Sequence, residues 1–423
     1  MNKDYQTLIH SWINENRVIG IELLQKLVRN RSIQTNEYEA QQAIINHLQK
    51  LDLEIDEWEV SGDIFTHPYF CSTRKSFLKS PNVVGVKRGI GKGKSIILNG
   101  HIDVVPEGDV TQWTDDPYSG KIEGGKMYGR GTTDMKGGTV SLLLAIQALK
   151  ELGIQLNGDV IFQSVIEEES GGAGTLGTLI RGYKADAAII PEPTNMKIFP
   201  RQQGSMWFRL TVKGRSAHGG TRYEGVSAIE KAMIVIQELQ NLEKIRNARI
   251  VDPLYENTPI PIPINLGVIR GGNWPSSVAD EVIIEGRIGV APDEEMRHAQ
   301  EELNLCLKNL EKIDPWFREK PVGLDWFGAR WVPGTIDEEH PLMGILQSKF
   351  EQVIQTEPKI EASPWGTDGG LLEKLGGIPV IVFGPGTTEI AHFPNEYIEL
   401  ERMFEVAEII ALTLIDWCGV NDE

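Results

Sequence analysis

Short apolar runs alternate with helical patterns along the first half of the chain, and this alternation constrains the fold more than any other feature. The runs NVVGV at 82–86, SIILNG at 95–100, DVIFQSVI at 159–166 and ADAAII at 185–190 have the length and composition of buried strands. The segment 139–152 has leucine and isoleucine residues at helical spacing. Strands separated by helices predict an α/β fold, with a mixed, mostly parallel sheet and helices on both faces.

The pattern changes near residue 204. From there onward, a strand-like alternation is followed by a helical segment, two further strand patterns and a second helical segment. This order predicts a separate α+β domain inserted into the first one. The expected organisation is a first domain at 1–203, the inserted domain at 204–333, and a return to the first domain at 334–423, whose last helix is predicted at 395–417.

Composition narrows the class of protein. The chain has 423 residues, which favours two domains, and a formal net charge of −18, which argues against nucleic acid or an anionic membrane as the main partner. Its three cysteines are scattered and form no CxxC pair, which indicates a reducing compartment. No run of 18 or more apolar residues occurs, and the first residues lack the apolar region of a signal peptide. We therefore expect a cytoplasmic protein.

The segment GIGKGKS at 89–95 superficially resembles a phosphate-binding loop. The full motif would require a glycine at the position of Arg88, and it would have to open a helix, whereas a strand pattern follows here. The segment is therefore interpreted as a flexible turn, and a nucleotide site is not expected.

Histidine and acidic residues follow several of the predicted strands. Each one alone is more typical of a structural role, such as a surface hydrogen bond or a helix N-cap. Functional groups gather at the carboxyl ends of parallel strands, and two imidazoles with several carboxylates and no thiolate suit Zn²⁺ or a neighbouring divalent ion. The residues are His101 and Asp103 after the run at 95–100, Asp134 ahead of the helical segment 139–152, Glu167, Glu168 and Glu169 after 159–166, Glu192 after 185–190, and His392 before the last helix.

Five motifs together resemble a known family. NGHIDVVPEGD, GRGTTDMKGG, EEESGG, PEPT and GRSAHGG occur in the order found in the metal-dependent acetylornithine deacetylase, succinyl-diaminopimelate desuccinylase, aminoacylase-1 and carboxypeptidase G family. The resemblance implies a hydrolase that removes a small acyl group from an N-acyl amino acid or amine, with acetylornithine deacetylase as the nearest named activity. Desuccinylase, metallo-dipeptidase or carboxypeptidase, formylaminopyrimidine deformylase and a non-catalytic metal-binding relative are the alternatives.

The resemblance also implies a ligand set for two Zn²⁺ ions per subunit, which Co²⁺ can replace. His101 and His392 would each bind one ion, and Asp134 would bridge both. Glu192 would complete the site of His101, and Glu169 would complete the site of His392.

Further roles follow from the same resemblance. Asp103 would hold the His101 imidazole, and Glu168 would be the general base. A cis peptide bond is implied between Asp134 and the next residue. His218 would act from the partner subunit and stabilise the oxyanion. This implies a homodimer formed through the domain at 204–333, which would also act as a lid.

The residues that would contact the substrate match the family less well. Gly370 stands where members that bind a substrate carboxylate often have an arginine, so recognition of an acidic group there is not expected. Arg287 is a candidate carboxylate anchor, although its position equally fits an exposed arginine at a strand end. The other candidates are Asn273 or Ser276, in place of a family asparagine, together with Gly366 and Thr367.

Overall fold

The structure, a computed structural model, describes residues 4–420. The chain divides into two compact units. Unit 1 comprises Met1–Arg201, Thr335–Glu361 and Asp368–Glu423, and unit 2 comprises Gln202–Gly334 and Ala362–Thr367. The segment predicted as an insertion therefore lies in unit 2, which also includes six residues from the later part of the chain. A role of this unit as lid and dimerisation domain stays a prediction.

Both units contain helices and strands. The helices are α1 (Tyr5–Glu15), α2 (Arg17–Arg29), α3 (Tyr38–Lys50), α4 (Gly137–Glu151), α5 (Ala173–Ile180), α6 (Ala228–Asn247), α7 (Met296–Ile313), α8 (Trp316–Glu319), α9 (Pro341–Ile354), α10 (Gly369–Lys374) and α11 (Leu400–Cys418). The strands are β1 (Glu54–Glu59), β2 (Pro81–Lys87), β3 (Ile96–His101), β4 (Lys121–Glu123), β5 (Lys126–Tyr128), β6 (Val160–Val165), β7 (Ala187–Ile190), β8 (Ile198–Gln202), β9 (Gly204–Lys213), β10 (Ile264–Gly271), β11 (Glu281–Val290), β12 (Gly323–Trp331), β13 (Gly334–Thr335), β14 (Ile360–Ser363), β15 (Val380–Val382) and β16 (Tyr397–Glu399).

The larger sheet has nine strands in the order β1-β2-β6-β3-β7-β15-β8-β13, with β14 paired to β8. Pairing is parallel through the central strands β6, β3, β7 and β15, whereas β1 and β2 pair antiparallel to each other and β2 pairs antiparallel to β6. Every residue of β3 and β6 is buried, as is typical of strands covered on both faces. The prediction of an α/β fold with a mixed sheet is confirmed.

Helix α4 lies against the centre of this sheet and is almost completely buried. Its second residue, Gly138, approaches the main chain of Pro191 so closely that a Cβ atom would collide with the Pro191 carbonyl oxygen. Glycine at this position therefore allows the start of α4 to sit beside the end of β7.

The last helix begins later than its sequence pattern predicted. The predicted helix 395–417 is wrong over its first five residues, because Asn395 adopts a left-handed backbone conformation and Tyr397–Glu399 pair with β5 as strand β16. Helix α11 starts at Leu400.

Unit 2 contains a four-stranded antiparallel sheet in the order β10-β11-β9-β12. Alternate residues of β9 are buried, and they form a hydrophobic core with residues of α6 and α7. This is the pattern expected of a sheet covered by helices on one face.

In the described residues 4–420, no helix is long and apolar enough to cross a membrane.

The core of unit 2 gives a first prediction. Phe208 in β9 is fully buried against α6 and α7, whereas Thr211 lies on the opposite face of the strand. We expect Phe208→Ala to lower the free energy of unfolding by about 3–5 kcal/mol, and Thr211→Ala to lower it by less than about 1 kcal/mol. Urea denaturation of both variants would measure the free energy of unfolding. Equal effects would contradict the placement of Phe208 and Thr211 on opposite faces of β9.

Candidate metal centre

Asp134 lies between two histidines in unit 1. Its Oδ1 atom is 3.1 Å from Nε2 of His101, and its Oδ2 atom is 3.2 Å from Nε2 of His392. Oε1 of Glu169 is 3.2 Å from Nε2 of His392. Oε2 of Glu192 is 3.9 Å from Nε2 of His101. The structure therefore brings together the five residues predicted as metal ligands, and the Asp134 carboxylate is shared between two halves of the cluster.

The sheet explains why these residues meet. His101, the last residue of β3, pairs with Val165, the last residue of the parallel neighbour β6, and β7 lies on the other side of β3. Residues that follow these three strands consequently emerge at one edge of the sheet. They are Asp103 after β3, Glu168 and Glu169 in a 3-10 turn after β6, and Glu192 between two prolines after β7.

Two groups of side chains have the spacing needed to hold a cation. The first is His101, Asp134 and Glu169, and the second is His101, Glu168 and Glu192; within each group one possible ligand atom per residue lies within 4.8 Å of the others. The carboxylate of Glu168, which was predicted as the general base, is therefore in the same cluster as the predicted ligands. Two imidazoles and several carboxylates are a donor set that fits Zn²⁺ or a similar divalent ion.

The main chain of Asp103 determines which nitrogen of His101 faces the cluster. Nδ1 of His101 donates to the carbonyl oxygen of Asp103 at 2.8 Å, so that Nε2 is the nitrogen that faces Asp134 and that would bind a cation once it has lost its proton. The Asp103 carboxylate is farther from the ring, at 3.7 Å, and accepts hydrogen bonds from the main-chain N–H groups of Glu168 and Glu169. Asp103 therefore contacts the ring through its carbonyl oxygen, while its carboxylate binds the main chain of the segment after β6.

The cluster concentrates negative charge in a buried place. Burial, together with the charge of neighbouring carboxylates, raises the pKa of Glu168 and of Glu192 well above the usual value. The carboxylate of Glu169 is the main cause that raises the pKa of His392 to about 11. Within residues 4–420, the only ion-pair partners of Glu169 and Glu192 are histidines. A bound divalent cation would supply the missing positive charge.

Burial and hydrogen bonding have opposite effects on the pKa values of Asp134 and His101. Burial disfavours the charged form of Asp134, but hydrogen bonds from both histidines outweigh it and lower its pKa. Burial likewise disfavours charged His101, yet the hydrogen bond to Asp134 and the charge of Glu192 raise the pKa of His101 well above its usual value. Asp134 therefore remains a carboxylate, the form that a bridging ligand needs.

One buried carboxyl group near this cluster was missed in the sequence. Asp368 accepts a hydrogen bond from the hydroxyl of Thr175 at 2.6 Å through Oδ2, and its Oδ1 atom is buried with no hydrogen-bond partner in the described part of the chain. Burial raises the pKa of Asp368 to about 6. Asp368 lies two residues before Gly370, where the family arginine is missing. An aspartate at this position is the sequence signal that could have identified the buried carboxyl group.

His218 and two of the substrate-contact candidates lie in unit 2. His218 is exposed, and its Nδ1 atom accepts a hydrogen bond from the N–H of Gly220 at 3.1 Å. Asn273 and Ser276 are also exposed, and the carbonyl oxygen of Ser276 accepts from the N–H of Gly219 at 2.6 Å. His218 and Ser276 are therefore neighbours within this unit.

The remaining candidates also belong to unit 2. Arg287 is half-buried; its Nη2 atom is 3.5 Å from Oε1 of Gln203, and its Nε atom has no hydrogen-bond partner in the described residues. Burial lowers the pKa of this guanidinium group. Thr367 is buried and donates to the side chain of Gln202, and a Cβ atom on Gly366 would press against Trp331.

The implied cis peptide bond is present between Asp134 and Met135 in unit 1.

Comparison with known proteins gives consistent results. The model of peptidase family M20/M25/M40 matches residues 97–416. The N-formyl-4-amino-5-aminomethyl-2-methylpyrimidine deformylase of Halalkalibacterium halodurans is 34% identical over 406 residues, covering 91% of this chain and 90% of its own. The enzyme of the same name from Bacillus subtilis is 33% identical, covering 90% and 89%. Among solved structures, the dipeptidase Dug1p from Saccharomyces cerevisiae has a similar fold, with a TM-score of 0.77 at 14% identity over 99% of both chains.

The shared carboxylate gives a prediction about metal content. We expect purified protein to carry about two divalent ions per chain and Asp134→Ala to carry fewer than about one, because both halves of the cluster lose a ligand. Elemental analysis after dialysis would measure this. Asp109→Ala is a suitable control, since Asp109 is an exposed residue of the same sequence motif as His101. Equal metal content in both variants would remove Asp134 from the ligand set.

Proposed function

The chain belongs to peptidase family M20/M25/M40 and is a hydrolase of amide bonds, and from that premise we propose that it removes the formyl group from a formylated aminopyrimidine, using two Zn²⁺ ions per subunit. The observation that carries the reaction class is the Asp134 carboxylate shared by His101 and His392, with Glu168 in the same cluster. The two deformylases, which match this chain over nine-tenths of its length, support the choice of substrate.

The residue at position 370 also favours a formyl group over larger acidic acyl groups. Neither the formyl group nor an aminopyrimidine ring carries a carboxylate, so no arginine fork is needed at Gly370. A succinyl group ends in a carboxylate and would lose that contact. Acetylornithine deacetylase, the activity favoured by the motifs, has no specific support among the relatives described above.

The proposed reaction adds water across the amide bond. When bound, the two ions polarise the amide carbonyl and lower the pKa of a water molecule. Glu168 accepts a proton from that water and delivers it to the leaving amine nitrogen as the C–N bond breaks, so that formate and the free amine are produced. Burial raises the pKa of Glu168, which suits a group that must hold a proton between these two steps.

His218 of the partner subunit is proposed to stabilise the negative charge on the former carbonyl oxygen. Because Nδ1 of His218 accepts from the N–H of Gly220, the neutral ring carries its proton on Nε2, where it can be donated. The ring is exposed on unit 2, so it is accessible to a second chain. This role requires a homodimer formed through 204–333.

The proposed function also includes the substrate contacts, a replacement metal ion and the cellular compartment. Arg287, Asn273, Ser276, Gly366 and Thr367 remain candidates for contacts with the substrate, and Co²⁺ is expected to replace Zn²⁺ in the centre. A reducing compartment such as the cytoplasm is proposed, since none of the three cysteines, Cys71, Cys306 and Cys418, forms a disulfide in the described residues.

The substrate is tested by amine release from a panel. We expect Zn²⁺-loaded protein to hydrolyse N-formyl-4-amino-5-aminomethyl-2-methylpyrimidine faster than N-acetylornithine, N-succinyl-diaminopimelate or dipeptides. Glu168→Gln should lower kcat by about 10²–10⁴-fold because proton transfer is lost, while metal content stays near that of the wild type. Glu123→Gln, at an exposed glutamate, is the control.

The outcomes separate the substrate from the mechanism. Faster release from another compound in the panel, still abolished in Glu168→Gln, would overturn the deformylase and keep the catalytic base. Wild-type turnover by Glu168→Gln would remove Glu168 as the base.

The partner's His218 is tested by mixing variants. His218→Ala alone should lower kcat by about 10²–10³-fold with unchanged metal content. After subunit exchange, an equal mixture of His218→Ala and Glu168→Gln should recover about a quarter of the wild-type activity, because half of the dimers then contain one intact composite site. An active His218→Ala monomer, or no recovery by dimers that have exchanged subunits, would contradict the role in trans.

A further inference from the structure

A buried ion pair lies directly behind the candidate metal centre in unit 1. Nη1 of Arg130 is 2.7 Å from Oε2 of Glu396, and the two side chains are only 2% and 0% exposed. Neither residue is among the candidate ligands. A buried ion pair contributes little to stability by itself, because desolvation of both charges offsets their attraction. The remaining contacts of the pair therefore indicate what it does.

The carboxylate of Glu396 holds the main chain of the shared ligand. Its Oε1 atom accepts hydrogen bonds from the N–H groups of Thr133, at 2.9 Å, and of Asp134, at 3.2 Å. Hydrogen bonds from main-chain N–H groups to a carboxylate are stronger than those between neutral groups. Glu396 therefore fixes the position from which the Asp134 side chain extends.

Arg130 holds the main chain of the second histidine at the same time. Its Nη2 atom donates to the carbonyl oxygen of His392 at 3.1 Å, and Nη1 is 3.4 Å from the carbonyl oxygen of Phe393. His392 adopts a left-handed conformation with φ 66°, which a residue with a side chain rarely takes unless its surroundings require it. Arg130 holds the carbonyl group of this residue.

The other half of the cluster is held by a different residue. The carbonyl oxygen of Asp103 holds the His101 ring, and the Asp103 carboxylate accepts from the N–H groups of Glu168 and Glu169. Contacts of Arg130 and Glu396 reach only Asp134 and His392 among the candidate ligands. We infer that Arg130 and Glu396 are positioning residues that set the affinity of the metal site containing His392, since they hold both of its ligands Asp134 and His392, and that they affect the site of His101 and Glu192 less, because they reach it only through the shared Asp134. This inference rests on the metal binding in the proposed function.

The fork of the arginine, and not only its charge, is needed for this role. A lysine at position 130 could pair with Glu396, but its single ammonium group cannot reproduce the rigid planar contacts to both Glu396 and the His392 carbonyl. Arg130→Lys therefore removes the link between the two ligands while it keeps the buried charge. Glu396→Gln places a donor opposite Arg130 or opposite the N–H groups of Thr133 and Asp134, and breaks the link from the other side.

A closely matched control exists in unit 2. Arg246 is also 2% exposed and uses its fork in the same way, with Nη1 3.0 Å from Oε1 of Glu294 and Nη2 2.9 Å from the carbonyl oxygen of Gly289. No candidate metal ligand belongs to unit 2. Arg246→Lys therefore reproduces the loss of a buried fork without a candidate ligand in its neighbourhood.

The experiment is a titration of chelator-treated protein with Zn²⁺ or Co²⁺, followed by calorimetry. We expect two binding events in the wild type. In Arg130→Lys and Glu396→Gln, one event should weaken by about 10–100-fold, and the other should weaken by a clearly smaller factor, because the two sites share only Asp134 among the residues held by this pair. Arg246→Lys should bind both ions as the wild type does, even where thermal unfolding shows that it is less stable. At saturating Zn²⁺, amine release by Arg130→Lys should rise toward the wild-type rate.

The outcomes distinguish this inference from the proposed function. Unchanged isotherms for Arg130→Lys and Glu396→Gln would overturn the positioning role, as would an equal loss of affinity at both sites or in Arg246→Lys. A wild type that binds no divalent ion would overturn the proposed metal centre itself. If Arg130→Lys fails to fold, Glu396→Gln provides the same measurement from the other side of the pair.

Discussion

The candidate centre depends on one electrostatic constraint, which is that several carboxylates are held together where little water can reach them. Burial raises the pKa of Asp103, Glu168 and Glu192, so each of them would tend to bind a proton. Asp134 escapes this tendency because a histidine lies at each of its oxygens. Two imidazoles cannot balance so many acids, whereas bound divalent cations would, and a metal centre would therefore explain how such repelling groups coexist.

Two carboxylates outside the candidate ligand set hold the main chain around it. Asp103 and Glu396 each accept hydrogen bonds from two successive main-chain N–H groups, at Glu168 and Glu169 in the first case and at Thr133 and Asp134 in the second. Such hydrogen bonds restrict the main chain on which the candidate ligands are carried, and in the proposed function this would lower the entropy lost when an ion binds.

The ligands could be predicted from sequence because their positions follow from local patterns. A buried strand that ends in a histidine or a carboxylate is visible within a few residues, as at His101 and Glu192. The supporting residues could not be predicted in this way: Arg130 and Glu396 are 266 residues apart, and Asp368 and Thr175 are 193 residues apart. Their roles appear only when the fold brings distant segments together. The same limit explains the late start of α11, where pairing of β16 with β5 overrides a helical pattern, and the six residues 362–367 that join unit 2.

The candidate residues for chemistry and for substrate contact are distributed over both units. The candidate ligands and Glu168 lie in unit 1, whereas Arg287 and the other substrate candidates lie in unit 2. Position 370 lies in unit 1 but is not a candidate ligand, so a substitution there would change the surroundings of the candidate centre without removing a ligand. Glycine there removes a contact that an acidic acyl group would need and that a formyl group does not. A fold and a metal centre that are common to a family are therefore compatible with many substrates, and the substrate of each member has to be inferred from the residues around the centre.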